Sequence, residues 1–164
     1  MAENSVTGVT YIIKNGIEAA LAAIRADRAD AAVPTPAPRQ YFIYEQPKGY
    51  LPPAVFTLVD RIDFHKDRGA NFHAATVQMN IAILVENERS DQLTIQAWRY
   101  QDALLAVLDR AQYLDPNPDN PIKFTVLVKN AVMTPAYSNA GQNPEGTFRK
   151  EVHLACDLEH YSNY

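Results

Sequence analysis

The chain has 164 residues and a formal net charge of −4, with 47% hydrophobic and 21% charged residues. These proportions are ordinary for a globular protein and exclude wholesale disorder. The length predicts a single domain, residues 1–164, with one hydrophobic core. The net negative charge, and the absence of a run of Lys and Arg interleaved with aromatic residues, argue against tight binding to nucleic acid.

The cysteine content and the apolar runs indicate the cellular compartment in which the chain folds. The single cysteine, Cys156, cannot form an intramolecular disulfide. The first residues lack the basic and apolar segments of a signal peptide, and no stretch reaches the ~18 apolar residues of a membrane span. We therefore expect a protein that folds in a reducing cytoplasm.

The N-terminal segment has the spacing of an amphipathic helix. Its apolar residues recur every three or four positions: Val6, Val9, Ile13, Ile17, Leu21 and Ile24. This spacing predicts a helix over residues 5–30 that buries one stripe. Residues 33–53 are then so rich in proline that a continuing helix is excluded, and we expect an arm crossing the domain surface. Within it, the aromatic run at 41–44 is compatible with an edge strand.

Two strands are predicted after the arm. In the first, from residue 54, Phe56, Leu58, Ile62 and Phe64 are expected to share one face. Asp60 interrupts the pattern, which suggests either a bulge or a partly open edge. In the second, residues 75–85 alternate strictly between apolar and other side chains, as in a half-buried antiparallel strand. At ~3.3 Å per residue that strand would span roughly 35 Å.

A second helix is predicted over residues 91–114. Its stripe contains Leu93, Ala97, Tyr100, Leu104, Val107, Leu108 and Ala111, and the prolines at 116 and 118 forbid continuation. Two more strands are expected at 122–132 and 148–158. The order predicts an α+β two-layer sandwich: a mostly antiparallel four-stranded sheet within residues 54–158, two helices packed on one face, and the Pro-rich arm.

The sequence contains no recognisable catalytic constellation. Nucleophile elbow, dinucleotide fingerprint, Walker loop and zinc-protease motifs are all absent. His65 and His73 with Asp67 have a spacing that matches no metal signature, and a solvated loop is the simpler interpretation. On one strand, His153 and Cys156 point to opposite faces and cannot form a dyad. We predict no enzyme, and no catalytic, cofactor or metal-binding residue.

Residues 73–111, HAATVQMNIAILVENERSDQLTIQAWRYQDALLAVLDRA, join a long strand, a short acidic turn and a helix with aromatic and aliphatic anchors. With the final strand, this layout resembles the tail terminator, or tail completion (neck), proteins of long-tailed bacteriophages. The resemblance implies a structural virion protein, assembled in the host cytoplasm, that forms a homohexameric ring. Such a ring would end the tail tube and join it to the neck, with DNA passing through the lumen without specific binding.

Two polar loops are the candidate contacts to neighbouring subunits or rings. The residues chosen in them are His65, Lys66, Asp67, Arg68, Asn71, Tyr137, Asn139 and Gln142. Three other interpretations stay open: a head–tail adaptor or neck component, a small-ligand-binding α+β domain with a pocket between helices and sheet, and a regulatory domain that dimerises through its sheet.

Overall fold

A sheet with two helices on one face organises the protein. The computed structural model describes residues 2–27, 33–43, 49–65, 72–114, 123–138 and 146–163. The helices within these ranges are α1 (Ala2–Asp27) and α2 (Ser90–Leu108). The strands are β1 (Gln40–Phe42), β2 (Ala54–His65), β3 (Phe72–Asn87), β4 (Gln112–Leu114), β5 (Lys123–Met133), β6 (Tyr137–Ser138) and β7 (Phe148–Asn163).

The described strands form one seven-stranded sheet in the order β1-β2-β3-β7-β5-β4, with β6 paired to β7. β1 is parallel to β2, and all other pairs are antiparallel. Because β3 already flanks Phe148 and Arg149 on one side, β6 pairs on the other and continues the row of β5. The α+β class with two helices is confirmed, but the count of four strands is wrong, because β1, β4 and β6 are too short to show a periodicity.

The core lies between the helices and one face of the sheet. Odd-numbered residues of β3 and even-numbered residues of β7 are paired side by side on this face, as in Ile81 with Leu154. The helices cover them with the stripes predicted from the sequence, and Val9, Ile13, Leu93 and Leu104 are fully buried. We call this side of the sheet the helix face and the other side the open face.

The predicted bulge at Asp60 is confirmed. Val59 pairs with Met79, and Arg61 pairs with the next residue back along β3, Gln78, so Asp60 is the extra residue. The bulge inverts the alternation of β2. Phe56 and Leu58 therefore lie on the open face while Ile62 and Phe64 lie on the helix face, and the expectation that the four share one face is wrong.

Several predicted boundaries are also corrected. α1 already begins at Ala2, while residues 28–30 of the predicted helix lie outside the described residues. α2 ends at Leu108 instead of 114, because Arg110 adopts a positive φ of 58° and its N–H donates to the carbonyl of Val126. The chain then joins β5 as strand β4. The last strand runs on to Asn163, past the expected end at 158.

Gly8 permits the close approach of α1 to the sheet. A Cβ atom at this position would lie 2.8 Å from the Phe124 ring and 2.9 Å from the Tyr113 ring. A glycine that looks unfavourable in a helix is thus required by packing. Among the described residues, no helix is both long and apolar enough to span a membrane.

Candidate functional site

The two outer strands of the sheet leave long stretches of backbone unpaired. β1 covers only Ala54–Phe56 of β2, so among the described residues Thr57–His65 has no strand partner on its outer side. We call this stretch the β2 edge. Every second residue of such an edge turns its N–H and C=O away from the sheet. An unpaired edge of this length is a template for pairing with another chain.

The opposite side of the sheet has a similar opening. β4 pairs with Lys123–Thr125, and two backbone hydrogen bonds join Val126 to Arg110 and Ala111. Beyond that point, Leu127–Met133 has no strand partner on its outer side within the described part of the chain. We call this stretch the β5 edge. The sheet therefore carries one open edge on each side.

Large apolar side chains are exposed at these edges. Phe64 in the β2 edge is 67% exposed, and Val132 in the β5 edge is 56% exposed. Leu114 of β4 is also exposed, as are Ile43 and Leu51 beside β1. Tyr11 and Trp98 on the helices are exposed as well. Five of the seven exposed large apolar residues in the described ranges nevertheless lie on the open edges or in and beside the short outer strands, which favours these sides of the sheet as contact surfaces.

The open face is polar and internally paired. Lys129 Nζ lies 3.1 Å from Asp157 Oδ2, and Arg61 contacts Asp63 at 2.6 Å. His153 shares a 2.9 Å hydrogen bond with Glu151 on the same strand. The described open face also carries Glu86 and Glu159, together with Lys123 and Arg149, so carboxylates exceed Lys and Arg side chains on it by one. This surface suits contact with water rather than with a hydrophobic partner.

One corner of the open face is covered by aromatic rings. Phe42 of β1 stacks on Phe56 at 5.1 Å between ring centroids, and Tyr50 packs edge-on against Phe56. The guanidinium of Arg149 lies over the Tyr50 ring and also forms an ion pair with Glu86. These contacts hold the short strand β1 against the sheet.

The segment that leads into β1 is anchored to α2. Arg99 is fully buried and donates hydrogen bonds to the Val33 carbonyl at 2.6 Å and to Thr35 Oγ1 at 3.2 Å. Gln96 Nε2 donates to the Pro34 carbonyl, and the Tyr100 hydroxyl donates to the Pro36 carbonyl. The first residues of the predicted Pro-rich arm, 33–36, are therefore bound to α2 by polar side chains of that helix.

The titratable groups of the core are placed for packing. Cys156 is buried on the helix face, as its position in the final strand predicts, and burial raises the pKa of its thiol to about 12. Burial lowers the pKa of His160 to about 4, and its ring shares a 2.8 Å hydrogen bond with Ser5. A thiol and an imidazole held in these uncharged forms are poor nucleophile and acid–base groups.

The described residues form an open groove beside β5. It has a volume of about 660 Å³ and lies between the C-terminal end of α2, with the following Asp109, and Val128–Ala131 of β5. It runs along the β5 edge and does not enclose a ligand between helices and sheet. No group of three or more metal-ligating side chains occurs in the described ranges.

The two predicted contact residues that the structure describes, His65 and Tyr137, lie at opposite ends of the sheet. We call the end where β7 begins, at Phe148, the near end, and the end where it finishes, at Asn163, the far end. His65 is exposed at the far end and shares a 2.8 Å hydrogen bond with Thr76. Tyr137 begins β6 at the near end, where it pairs with Arg149. The other predicted contact residues lie outside the described residues: Lys66, Asp67, Arg68, Asn71, Asn139 and Gln142.

The edge residues were missed by sequence reasoning. Phe64 has the alternation of a core residue, and Val132 simply continues a strand. The only signal available was the position of Phe64 directly before a polar loop. Exposure of these side chains follows from the order of the strands in the sheet, which periodicity does not specify.

No protein-family model matches the chain, and no curated protein sequence matches it either. Among the solved structures, a chain from "Virion of native gene transfer agent (GTA) particle" is similar, with a TM-score of 0.34 and 14% sequence identity. The match covers 90% of this chain and 97% of that chain. The likeness is therefore weak, and it is to a protein of a virion particle.

Proposed function

We propose that this chain is a structural virion protein that forms a homo-oligomeric ring at the head–tail junction, where it ends the tail tube and joins it to the neck. The observation that carries the ring is the pair of open edges on opposite sides of one sheet. The place in the virion rests on the resemblance of the layout of residues 73–111 to tail terminator proteins. A head–tail adaptor is the nearest alternative.

The polarity of the two edges supports a head-to-tail contact. Along β2, β3, β7 and β5 each neighbour is antiparallel, so β2 and β5 run in opposite directions. A second copy placed beside the first in the same orientation therefore turns its β2 side toward the β5 side of the first, and these two strands are antiparallel. Such a contact joins different surfaces of the two copies, and it generates a ring when the rotation between copies closes.

The two ends of the sheet support contacts above and below the ring. The connection from His65 to Phe72 leaves from the far end, and the connection from Ser138 to Gly146 leaves from the near end. A subunit with its edges committed to ring neighbours would retain these two connections for the tail tube and the neck. The predicted contact residues belong to them.

We place the open face toward the lumen and propose that DNA passes it without specific binding. The five carboxylates on this face exceed the four basic groups by one: Asp63, Glu86, Glu151, Asp157 and Glu159 against Arg61, Lys123, Lys129 and Arg149. An excess of negative charge repels phosphate. The role we propose is non-enzymatic, which agrees with the buried, uncharged states of Cys156 and His160.

The test is particle mass together with negative-stain images, measured for the protein alone and with tail tubes that lack it. We expect hexameric rings in solution or at the tube ends. A chain that stays monomeric up to high concentration and also fails to decorate tube ends would contradict the proposal. A closed dimer would instead favour the regulatory-domain interpretation.

A further inference from the structure

The two short outer strands occupy diagonally opposite corners of the sheet. β1 lies beside Ala54–Phe56, which pair through β3 with the Glu151–His153 part of β7, at the near end. β4 lies beside Lys123–Thr125, which pair with the Glu159–Tyr161 part of β7, at the far end. Each outer strand thus fills half of one side, and the open edge occupies the other half.

We call the position along the strands, between the near end and the far end, the height. The two sides of the sheet have complementary shapes, because each has a short outer strand at the height where the other has an open edge. When a second copy is set beside the first at the same height, β4 of the first copy meets the β2 edge of the second at the far end. At the near end, β1 of the second copy meets the β5 edge of the first. Neither short strand collides with the other, because they lie at different heights.

We propose that copies of this chain associate through this lap joint, in which β4 adds to the β2 edge of one neighbour and β1 adds to the β5 edge of the other. The proposal rests on the ring proposed above and specifies its interface. The two additions differ in direction. β1 would run antiparallel to β5, and β4 would run parallel to β2, as follows from the pairings within the chain.

The far half of the joint brings aromatic side chains together. Tyr113 pairs with Phe124, which pairs with His160, and Phe64 pairs with Ala75, which also pairs with His160. Tyr113 and Phe64 therefore lie at the same height, and both are on the helix face. In the lap joint, the exposed Phe64 of one copy packs beside Tyr113 of its neighbour.

The near half gives a matching pair on the open face. Val132 pairs with His153, and Phe42 pairs with Phe56, which reaches the same His153 through Ala82. Val132 and Phe42 therefore share a height and a face. The exposed Val132 of one copy then covers the stacked Phe42 ring of the next copy. Two of the large exposed apolar side chains are buried by one arrangement, without a stagger.

Cysteine cross-linking tests the near half directly. The double variant Val132→Cys with Phe42→Cys, oxidised as the assembled protein, is expected to give a ladder of disulfide-linked multimers up to the ring size. The control carries Val132→Cys with Trp98→Cys, because Trp98 is 51% exposed and lies on α2, which takes no part in the lap joint. It is expected to stay uncross-linked. Rings of normal mass without a ladder would overturn the lap joint but leave the ring proposal standing.

Lysine substitutions test both halves without touching a packed ring. Phe64→Lys and Val132→Lys change exposed side chains, so the chain should fold, as checked by circular dichroism. Each should raise the protein concentration needed for rings by roughly tenfold or more, since apolar burial is lost and a charge is brought into the joint. Trp98→Lys should leave it unchanged. Assembly of either edge variant at the wild-type concentration would overturn the lap joint. A wild type that neither forms rings in solution nor decorates tube ends would remove the ring as well.

Discussion

The two faces of the sheet differ in how their side chains are stabilised. On the helix face, side chains such as Ile83 and Leu154 are fully buried and are stabilised by removal from water. On the open face, the same strands carry paired ions such as Lys129 with Asp157. The same strands thus have one face buried from water and one face in contact with it. The helix face holds the domain together, and the open face remains accessible to solvent.

The sharpest way to test this difference is one charge placed on either face of β3. Ile83→Asp would bury a carboxylate among apolar neighbours, at a cost that is a large part of the ~5–15 kcal/mol of a typical domain. We expect the variant to be unfolded or aggregated, as measured by circular dichroism and solubility.

Asn80→Asp is the matched control on the same strand. Asn80 lies on the open face, where its side chain is 3.4 Å from His153. The new charge remains accessible to water, so the free energy of unfolding should change by less than about 1 kcal/mol. If both variants were equally stable, the assignment of the two faces would be wrong.

His160 is a polar residue buried on the helix face, and its titration should make the free energy of unfolding depend on pH. Its pKa is lowered to about 4 by burial, whereas an unfolded histidine titrates near 6.5. Above about pH 6.5 both states are neutral and stability is constant. Between about 6.5 and 4 the unfolded state binds the proton first, so the free energy of unfolding falls by up to about 3 kcal/mol.

The measurement is urea unfolding from pH 8 to pH 4 at fixed protein concentration, for the wild type and for His160→Gln. Subtracting the two curves removes the carboxylates that titrate in both proteins. We expect the wild type to lose more stability between pH 6.5 and 4. Parallel curves would show that His160 does not carry the effect.

The smallest expected effect is on the open face. Lys129 is 54% exposed, so its ion pair with Asp157 is screened by solvent. Lys129→Gln should change the free energy of unfolding by less than about 1 kcal/mol in a urea titration. A loss of several kcal/mol would mean that this face is drier than its exposure indicates.

The sequence predicts the long elements well because their patterns are local. Alternation identifies β3, and the helical stripe of α2 is correct from Leu93 to Leu108. The end of α2 is missed because the stripe continues to Ala111, whereas the positive φ of Arg110 depends on hydrogen bonding with Val126. The run of β7 past Leu158 is missed for a similar reason, since the burial of His160 depends on Ser5 at the other end of the chain.

The candidate interface is further from what a sequence can show. A three-residue strand such as β1 or β4 has no periodicity, and the aromatic run around Tyr41 does not reveal a parallel partner. The heights that pair Val132 with Phe42 require the register of four ladders together. Composition predicted contacts only in two loops, which follow strands ending at His65 and Ser138, and it did not point to the edges of the sheet.

The anchoring of the arm by Arg99 has a mechanical consequence. Three residues of pairing alone would let β1 peel from β2 one hydrogen bond at a time. The chain that enters β1 is instead fastened to α2 through Arg99, Gln96 and Tyr100. A force that pulls on β1 is therefore also resisted by α2, and β1 is held more firmly than its three paired residues alone would hold it.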